Sequence, residues 1–251
     1  LLRHTTEELR ELISKSQEMY PKIWPGIKWS ERKMQWTAPS GATLWMSYLD
    51  KDQDVTKYQG LAFSWIGFDE LTQWATPFAW NYMRSRLRSA DPELPLCMRA
   101  TTNPGGRGHH WVKKMFIDPS PAGKSFIATD IETGEPLKYP SGHAKAGRPL
   151  FKRRFIPARL KDNPYLSQQG DYEAMLLSLP EQQRRQLLDG DWDIKEGAAF
   201  TEFNRHDHVI EPYDIPNNWV KFRACDYGYG SYTGVLWFAV NPNDQLVVYR
   251  E

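Results

Sequence analysis

The sequence predicts an α/β protein built on a parallel sheet, followed by a second, smaller unit that carries its own acidic strand end. Three stretches support this. Residues 61–70, LAFSWIGFDE, form an apolar run that ends abruptly in two adjacent carboxylates. Such a run fits a strand buried on both faces whose C-terminal end opens into a ligand crevice. Residues 96–101 read as a neighbouring strand, and its polar end (Thr101, Thr102, Asn103) leads into Pro-Gly-Gly. Residues 220–226, VKFRACD, make a third strand that also stops at an acid. A strand, a helix and a parallel strand cross over right-handed by default, so the first two strand ends face the same edge.

Taken in order, the elements agree with that class. Leu1 and Leu2 finish a strand. Thr5 and Glu8 are spaced as a capping box, and Leu9, Leu12 and Ile13 form a helical stripe that ends near Pro21. A loop with three tryptophan-containing turns follows, then residues 43–49, TLWMSYL, alternate like a strand. Residues 50–58 are a polar excursion, and Gln59-Gly60 leads into the acidic strand. Thr76-Pro77 opens a helix with the stripe Ala79, Met83 and Leu87, and with Arg84, Arg86 and Arg88 toward its end; Asp91-Pro92 stops it. Beyond the second strand, residues 126–130 form a strand, 131–148 a loop rich in Gly, Pro and Lys, and 151–156, FKRRFI, a basic strand. Residues 171–179 and 180–189 read as two helices, the second opened by Pro180 and closed by Gly190. Strands at 220–226, 234–240 and 246–249, with a turn over Asn241-Pro242-Asn243-Asp244, complete the chain.

Composition bounds less. The 251 residues suffice for one large domain or two ordinary ones. Charged residues are 25% and the formal net charge is +1, so a partner such as nucleic acid would have to be met by local basic patches. Cys97 and Cys225 lie far apart, each inside a predicted strand, and read as buried core thiols. With no disulfide framework, signal peptide or membrane span in the pattern, the expected compartment is a reducing cytoplasm. The chain starts without Met and ends in a strand pattern, and is expected to be a fragment.

The residue types suggest specific chemistry. Adjacent acids at a strand end suit a nucleotide motor: Asp69 to hold Mg²⁺, directly or through water, and Glu70 to activate the attacking water. Thr101, Thr102 and Asn103 are placed to sense a γ-phosphate. A DE pair alone is also what a strand-end turn leaves behind. No GxxxxGK[ST] phosphate loop occurs: Gly105-Gly106 is followed by Arg107, and Gly123-Lys124-Ser125 lacks the earlier glycine. Asp226 reads either as a metal ligand or as a cap on the turn before Gly228. Glu251 is a weaker candidate. His109, His110, His206 and His208 have no partner cluster of the kind zinc needs, and read as surface, DNA-facing or loop residues. Arg107, Lys113, Lys114, Lys152, Arg153 and Arg154 are either phosphate contacts or solvated charges.

FDEL, ATTNPGGRGHHWVKKMF, DNPYL, LLDGDW and FRACDYGYG, in this order, resemble the large terminase subunit of tailed double-stranded DNA bacteriophages, over essentially the whole chain. The resemblance implies the C-terminal half of a P-loop-type (ASCE) ATPase sheet at 1–157 with its P-loop missing, a small helical linker at 158–198, and the first strands of an RNase H-like nuclease at 199–251. It implies ATP and Mg²⁺ bound at Asp69, Thr101, Thr102 and Asn103, catalysis by Asp69, Glu70 and Asn103, and a nuclease using Mg²⁺ or Mn²⁺ with Asp226 as its first ligand. The expected partners are double-stranded DNA, a small terminase subunit and a portal protein, met as a homo-oligomeric ring on the procapsid in the host cytoplasm, with no membrane. Alternatives are another nucleic-acid motor such as a helicase, or a catalytically incomplete DNA-binding or assembly module.

Overall fold

In a computed structural model that describes residues 1–167, 170–194, 208–227 and 233–250, the chain opens with β1, Leu2–Arg3, and turns at once into α1, Thr6–Ile23. The capping box forms: Glu8 N donates to Thr5 Oγ1 over 3.3 Å and Thr5 N to Glu8 Oε2 over 3.4 Å. α1 runs past the expected stop, because Pro21 sits in its last turn and Trp24 N still closes onto Tyr20 O at 2.8 Å. Leu9 and Ile13 are buried against Trp36 and Met46.

The tryptophan-rich stretch expected as a loop is an antiparallel meander of β2, Lys28–Ser30, β3, Gln35–Thr37, and β4, Thr43–Trp45. Trp29 lies opposite Trp36, and Trp36 Nε1 reaches the buried Ser16 hydroxyl at 3.0 Å. The single strand expected over 43–49 is therefore two. Met46 donates its N–H to Met34 O at 2.8 Å, and the chain passes from the meander into β5, Ser47–Tyr48, which pairs in parallel with β1.

The organising sheet has the order β5-β1-β6-β7, where β6 is Trp65–Asp69 and β7 is Cys97–Thr101. Every pairing in it is parallel, and Asp69 stands opposite Thr101. Ile66, Gly67 and Phe68 are buried, as a strand packed on both faces requires. Burying a side chain such as Phe68 stabilises by roughly 1.5–3 kcal/mol, and Phe68 packs edge-on against Trp74 within a core that includes Leu2, Leu71 and Trp80. α2, Phe78–Arg84, follows β6 but is shorter than expected. Its extension is lost because Phe63 N takes Arg86 O and Arg88 N takes Phe63 O, which draws residues 86–88 into an extended bridge.

After β7 come α3, His109–Val112, continued by one π-helical turn, and the hairpin of β8, Ser125–Ile127, with β9, Lys152–Arg154. Three short helices follow: α4, Pro164–Ser167, α5, Asp171–Leu177, and α6, Glu181–Arg184, the last continued by a π-helical turn, Arg185–Asp189, that Gly190 closes at φ 62°. The chain divides into two compact units, Leu1–Ala198 and Ala199–Glu251. The second contains an antiparallel sheet of β10, Val220–Asp226, β11, Gly234–Val240, and β12, Leu246–Arg250. Cys225 is exposed and Cys97 half-buried, contrary to the expectation of two core thiols. Among the described residues β10 has a single strand neighbour and every one of its residues is exposed, so its apolar positions do not make a core. Glu251, His206 and the residues after Tyr227 that precede Thr233 lie outside the described residues.

Candidate active site

Parallel pairing of β6 and β7 brings the two predicted polar ends together. Asp69 Oδ1 accepts the Thr101 hydroxyl across the pair, and Asp69 Oδ2 accepts Arg3 Nε at 2.6 Å from the other side. Arg3 is also 3.8 Å from Glu8 Oε2. The capping box of α1 is thus the outer end of a charged chain that runs Glu8, Arg3, Asp69, Thr101. Each oxygen of Asp69 accepts one hydrogen bond and retains a lone pair, which leaves room for a cation held directly or through water.

Glu70 sits in the left-handed region, at φ 58° and ψ 55°. For a residue other than glycine this costs on the order of 1–3 kcal/mol, and such strain gathers at functional sites. Here it turns the chain sharply out of β6 into a 3-10 turn, Leu71–Gln73. The Glu70 carboxyl is pushed above its ordinary range, first by burial and next by the neighbouring Asp69 charge. Arg3 and a hydrogen bond from the Asn103 backbone pull in the opposite direction. A half-buried carboxylate held toward neutrality suits a general base.

The turn after Glu70 is tied to the segment after β7. Thr72 N and Thr72 Oγ1 lie 3.1 Å and 2.9 Å from Thr102 Oγ1, and Thr72 O accepts Gly108 N at 2.7 Å. Glycine is needed at 108: a Cβ there would sit 2.1 Å from Trp74 O and 2.6 Å from the indole nitrogen of Trp111, which itself donates to Trp74 O at 2.8 Å. Gly105 N donates to His109 Nδ1 at 2.8 Å, and the His109 ring stacks on Trp192 with centroids 5.2 Å apart.

A cavity of about 1140 Å³ runs along β7, lined by Glu70 and Asn103 on one wall and by Arg153 and Phe155 among others. Among the described residues β7 pairs only with β6, so its other edge is open. The three basic residues of β9 do not share one environment. Strand alternation leaves Lys152 and Arg154 exposed and buries Arg153, whose Nη1 donates to Thr129 O at 3.0 Å. Burial, and then the charge of Arg84, pull the Arg153 guanidinium down to about 10. Arg153 is therefore largely buried, and what it exposes faces the cavity. Lys113 is engaged as well, 2.6 Å from Asp193 and 3.6 Å from Asp118. Arg107 and Lys114 are exposed.

Residues 2–207 match the family described as terminase large subunit, T4likevirus-type, N-terminal. The chain belongs to this terminase large-subunit family. Two solved structures of the large terminase from a thermophilic bacteriophage are similar in fold, one of them in complex with ADP. They are 17% and 18% identical to this terminase chain, with TM-scores of 0.53 and 0.50, and each match covers 99% of this chain and 54% of the thermophilic-phage chain. The terminase chain thus spans about half the length of those proteins. No curated protein matches it.

The predicted residues Asp69, Glu70, Thr101, Thr102 and Asn103 converge at one sheet edge, whereas Asp226 closes β10 in the other unit. Among the described residues no group of three or more His, Cys, Asp or Glu side chains is placed to hold a metal, and no helix is long and apolar enough to cross a membrane. Arg3 and Thr72 belong to the site and carry no motif signal, since an arginine two residues into the chain and a threonine after FDEL look ordinary until the sheet pairs them.

Proposed function

We propose that this chain works in a phage DNA-packaging motor, in which ATP hydrolysis drives double-stranded DNA into a procapsid and a metal-dependent nuclease cuts it. The observation that carries the reading is Glu70: a half-buried carboxylate, in a strained turn, next to an Arg3-paired Asp69 and to the Thr101–Asn103 strand end. In this reading Asp69 would hold the Mg²⁺ of the Mg²⁺·ATP complex, directly or through water, and its hard carboxylate oxygens suit that cation. Magnesium supplies charge neutralisation of the phosphates. Glu70 orients the attacking water and takes its proton at the carboxylate. Asn103 sits where the γ-phosphate state is passed to the loop that carries Gly105 and His109.

The same proposal gives 1–157 to the ATPase domain, 158–198 to a helical linker and 199–251 to the start of an RNase H-like nuclease. Asp226 is its first metal ligand, for Mg²⁺ or Mn²⁺. Arg107, Lys114, Lys152 and Arg154 are the exposed cations left to meet DNA phosphates. Small terminase subunit, portal protein and sister copies in a ring are the proposed partners, in the host cytoplasm. ADP in the thermophilic-phage terminase supports nucleotide as the ligand class.

The test is Glu70→Gln in a complete terminase polypeptide carrying these residues. ATP binding should persist while turnover falls by roughly 10²-fold or more, the scale of a lost general base. Unchanged steady-state hydrolysis would remove the assignment.

A further inference from the structure

The acidic turn and the TTNP segment are joined by a residue that belongs to neither motif. Thr72 is buried, 3% exposed. Its hydroxyl lies 2.9 Å from Thr102 Oγ1 and 3.2 Å from Asn103 O, and Thr102 Oγ1 lies 3.1 Å from Asn103 O. Thr102 Oγ1 also accepts Thr72 N at 3.1 Å. The two hydroxyls can donate in three satisfied ways. Thr72 donates to Thr102 and Thr102 to Asn103 O, or Thr102 donates to Thr72 and Thr72 to Asn103 O, or both donate to Asn103 O. In all three the Asn103 carbonyl accepts a hydrogen bond, and Thr72 N on Thr102 Oγ1 keeps the two threonines one unit.

The surroundings leave this unit no room to drift. Thr72 O accepts Gly108 N at 2.7 Å, and a Cβ at Gly106 would come within 2.9 Å of the same oxygen. Gln73 N returns to Glu70 O at 2.9 Å, so the strained Glu70 lies inside the turn that Thr72 anchors. We infer that Thr72 is a positioning residue that holds Glu70 and Asn103 as one rigid piece, so that the carboxylate and the strand end keep a fixed separation. This rests on the hydrolysis reading above and deepens it. A base displaced by about 1 Å loses on the order of 10²-fold in rate. Removing the Thr72 hydroxyl therefore acts on turnover and leaves nucleotide affinity alone.

The experiment compares Thr72→Val, Thr72→Ser and Glu70→Gln in a complete terminase polypeptide, with ATP turnover, KM and thermal melting read for each. Thr72→Val should lower kcat by about tenfold or more with KM for ATP within about twofold, the signature of an interaction used only in the transition state. Thr72→Ser, which keeps the hydroxyl, should recover to within about threefold of the unsubstituted protein. Turnover of Thr72→Val at the original level, while Glu70→Gln is inactive, overturns the inference and leaves the ATPase reading standing. A serine variant no better than valine overturns it too, because shape and not the hydroxyl would then be at work. Full turnover in Glu70→Gln removes the ATPase reading itself. If Thr72→Val does not melt cooperatively, the half-buried Thr102→Val decides: it breaks the same unit, and normal kcat there overturns the inference.

Discussion

Arg3 and Asp69 meet across neighbouring parallel strands, with Arg3 Nε donating to Asp69 Oδ2 at 2.6 Å and both side chains largely shielded, 16% and 18% exposed. The pairing is possible because β1 lies beside β6 with Leu2 opposite Phe68, which puts the next residue of each strand side by side. It holds the Asp69 carboxylate in place before any nucleotide arrives, and does so from a residue 66 positions away in sequence.

Removing Arg3 therefore strands a carboxylate in a partly dry site. Arg3→Met and Asp69→Asn should each destabilise the fold, and the double substitution should cost less than their sum. A coupling energy of about 1–3 kcal/mol is expected from urea denaturation of the four proteins in the cycle. A value within a few tenths of zero would place this pair with ordinary surface ion pairs, which contribute roughly 0–1 kcal/mol.

Glu70 gives a pH-dependent prediction. Its folded-state pKa is raised above the ordinary 4.5, by burial first and Asp69 second. A group of this kind holds its proton more tightly in the folded state, so its contribution to stability is present below the unfolded value and is lost as pH rises through the folded one. Glu70→Gln should therefore stabilise the fold increasingly from pH 4.5 upward and level off once wild-type Glu70 is ionised. In the complete enzyme, the acid limb of kcat/KM should lie above the ordinary glutamate range. Parallel stability curves for the two proteins across that window would show that the carboxyl is not perturbed.

What can be read from sequence here is local or periodic. The capping box of Thr5 and Glu8 is legible because both partners lie within one helical turn, and the strand before Asp69 because an apolar run stops at a charge. That the ends of β6 and β7 face the same edge follows from a parallel crossover joining them. What cannot be read depends on distant partners. TLWMSYL reads as one strand, yet Met46 N donates to the carbonyl of Met34 and the strand splits. Three successive basic residues look alike, and only the pairing of β8 with β9 decides that Arg153 turns inward. Residues 86–88 carry a helical stripe, but Phe63 captures them as an extended bridge. Thr72 becomes informative only once Thr102, 30 residues later, lies against it.

The glycines after β7 offer a test of close packing. Gly108→Ala would force a Cβ to 2.1 Å from Trp74 O, backbone that cannot swing away as a side chain would. Overpacking of this kind typically costs 1–3 kcal/mol, and a loss of about 3 kcal/mol is expected. Gly234→Ala, which meets nothing within 4 Å, is the control and should stay within about 0.5 kcal/mol of the original. Thermal or urea melting of both variants is the measurement, and equal stability would mean that the Gly108–Trp74 approach is looser than described.

Expressed by itself, the 251-residue chain should neither hydrolyse ATP nor cut DNA. Its sequence has no GxxxxGK[ST], so the backbone cradle and lysine that bind the phosphates in a P-loop motor are not supplied, and Asp69 has no preorganised Mg²⁺·ATP to meet. One edge of β7 is left without a strand partner among the described residues, beside a cavity of about 1140 Å³, which also favours self-association. For cleavage, a two-metal site needs several carboxylates around cations about 4 Å apart. Asp226 is exposed at the end of β10 and belongs to no metal-holding cluster among the described residues. A lone aspartate holds hydrated Mg²⁺ weakly. Purified chain incubated with supercoiled plasmid and Mn²⁺, beside Asp226→Ala, should leave the plasmid intact in both tubes. Nicking that disappears with Asp226→Ala would mean that the remaining ligands lie within these residues, and would make Asp226 a working nuclease ligand in the chain as it stands.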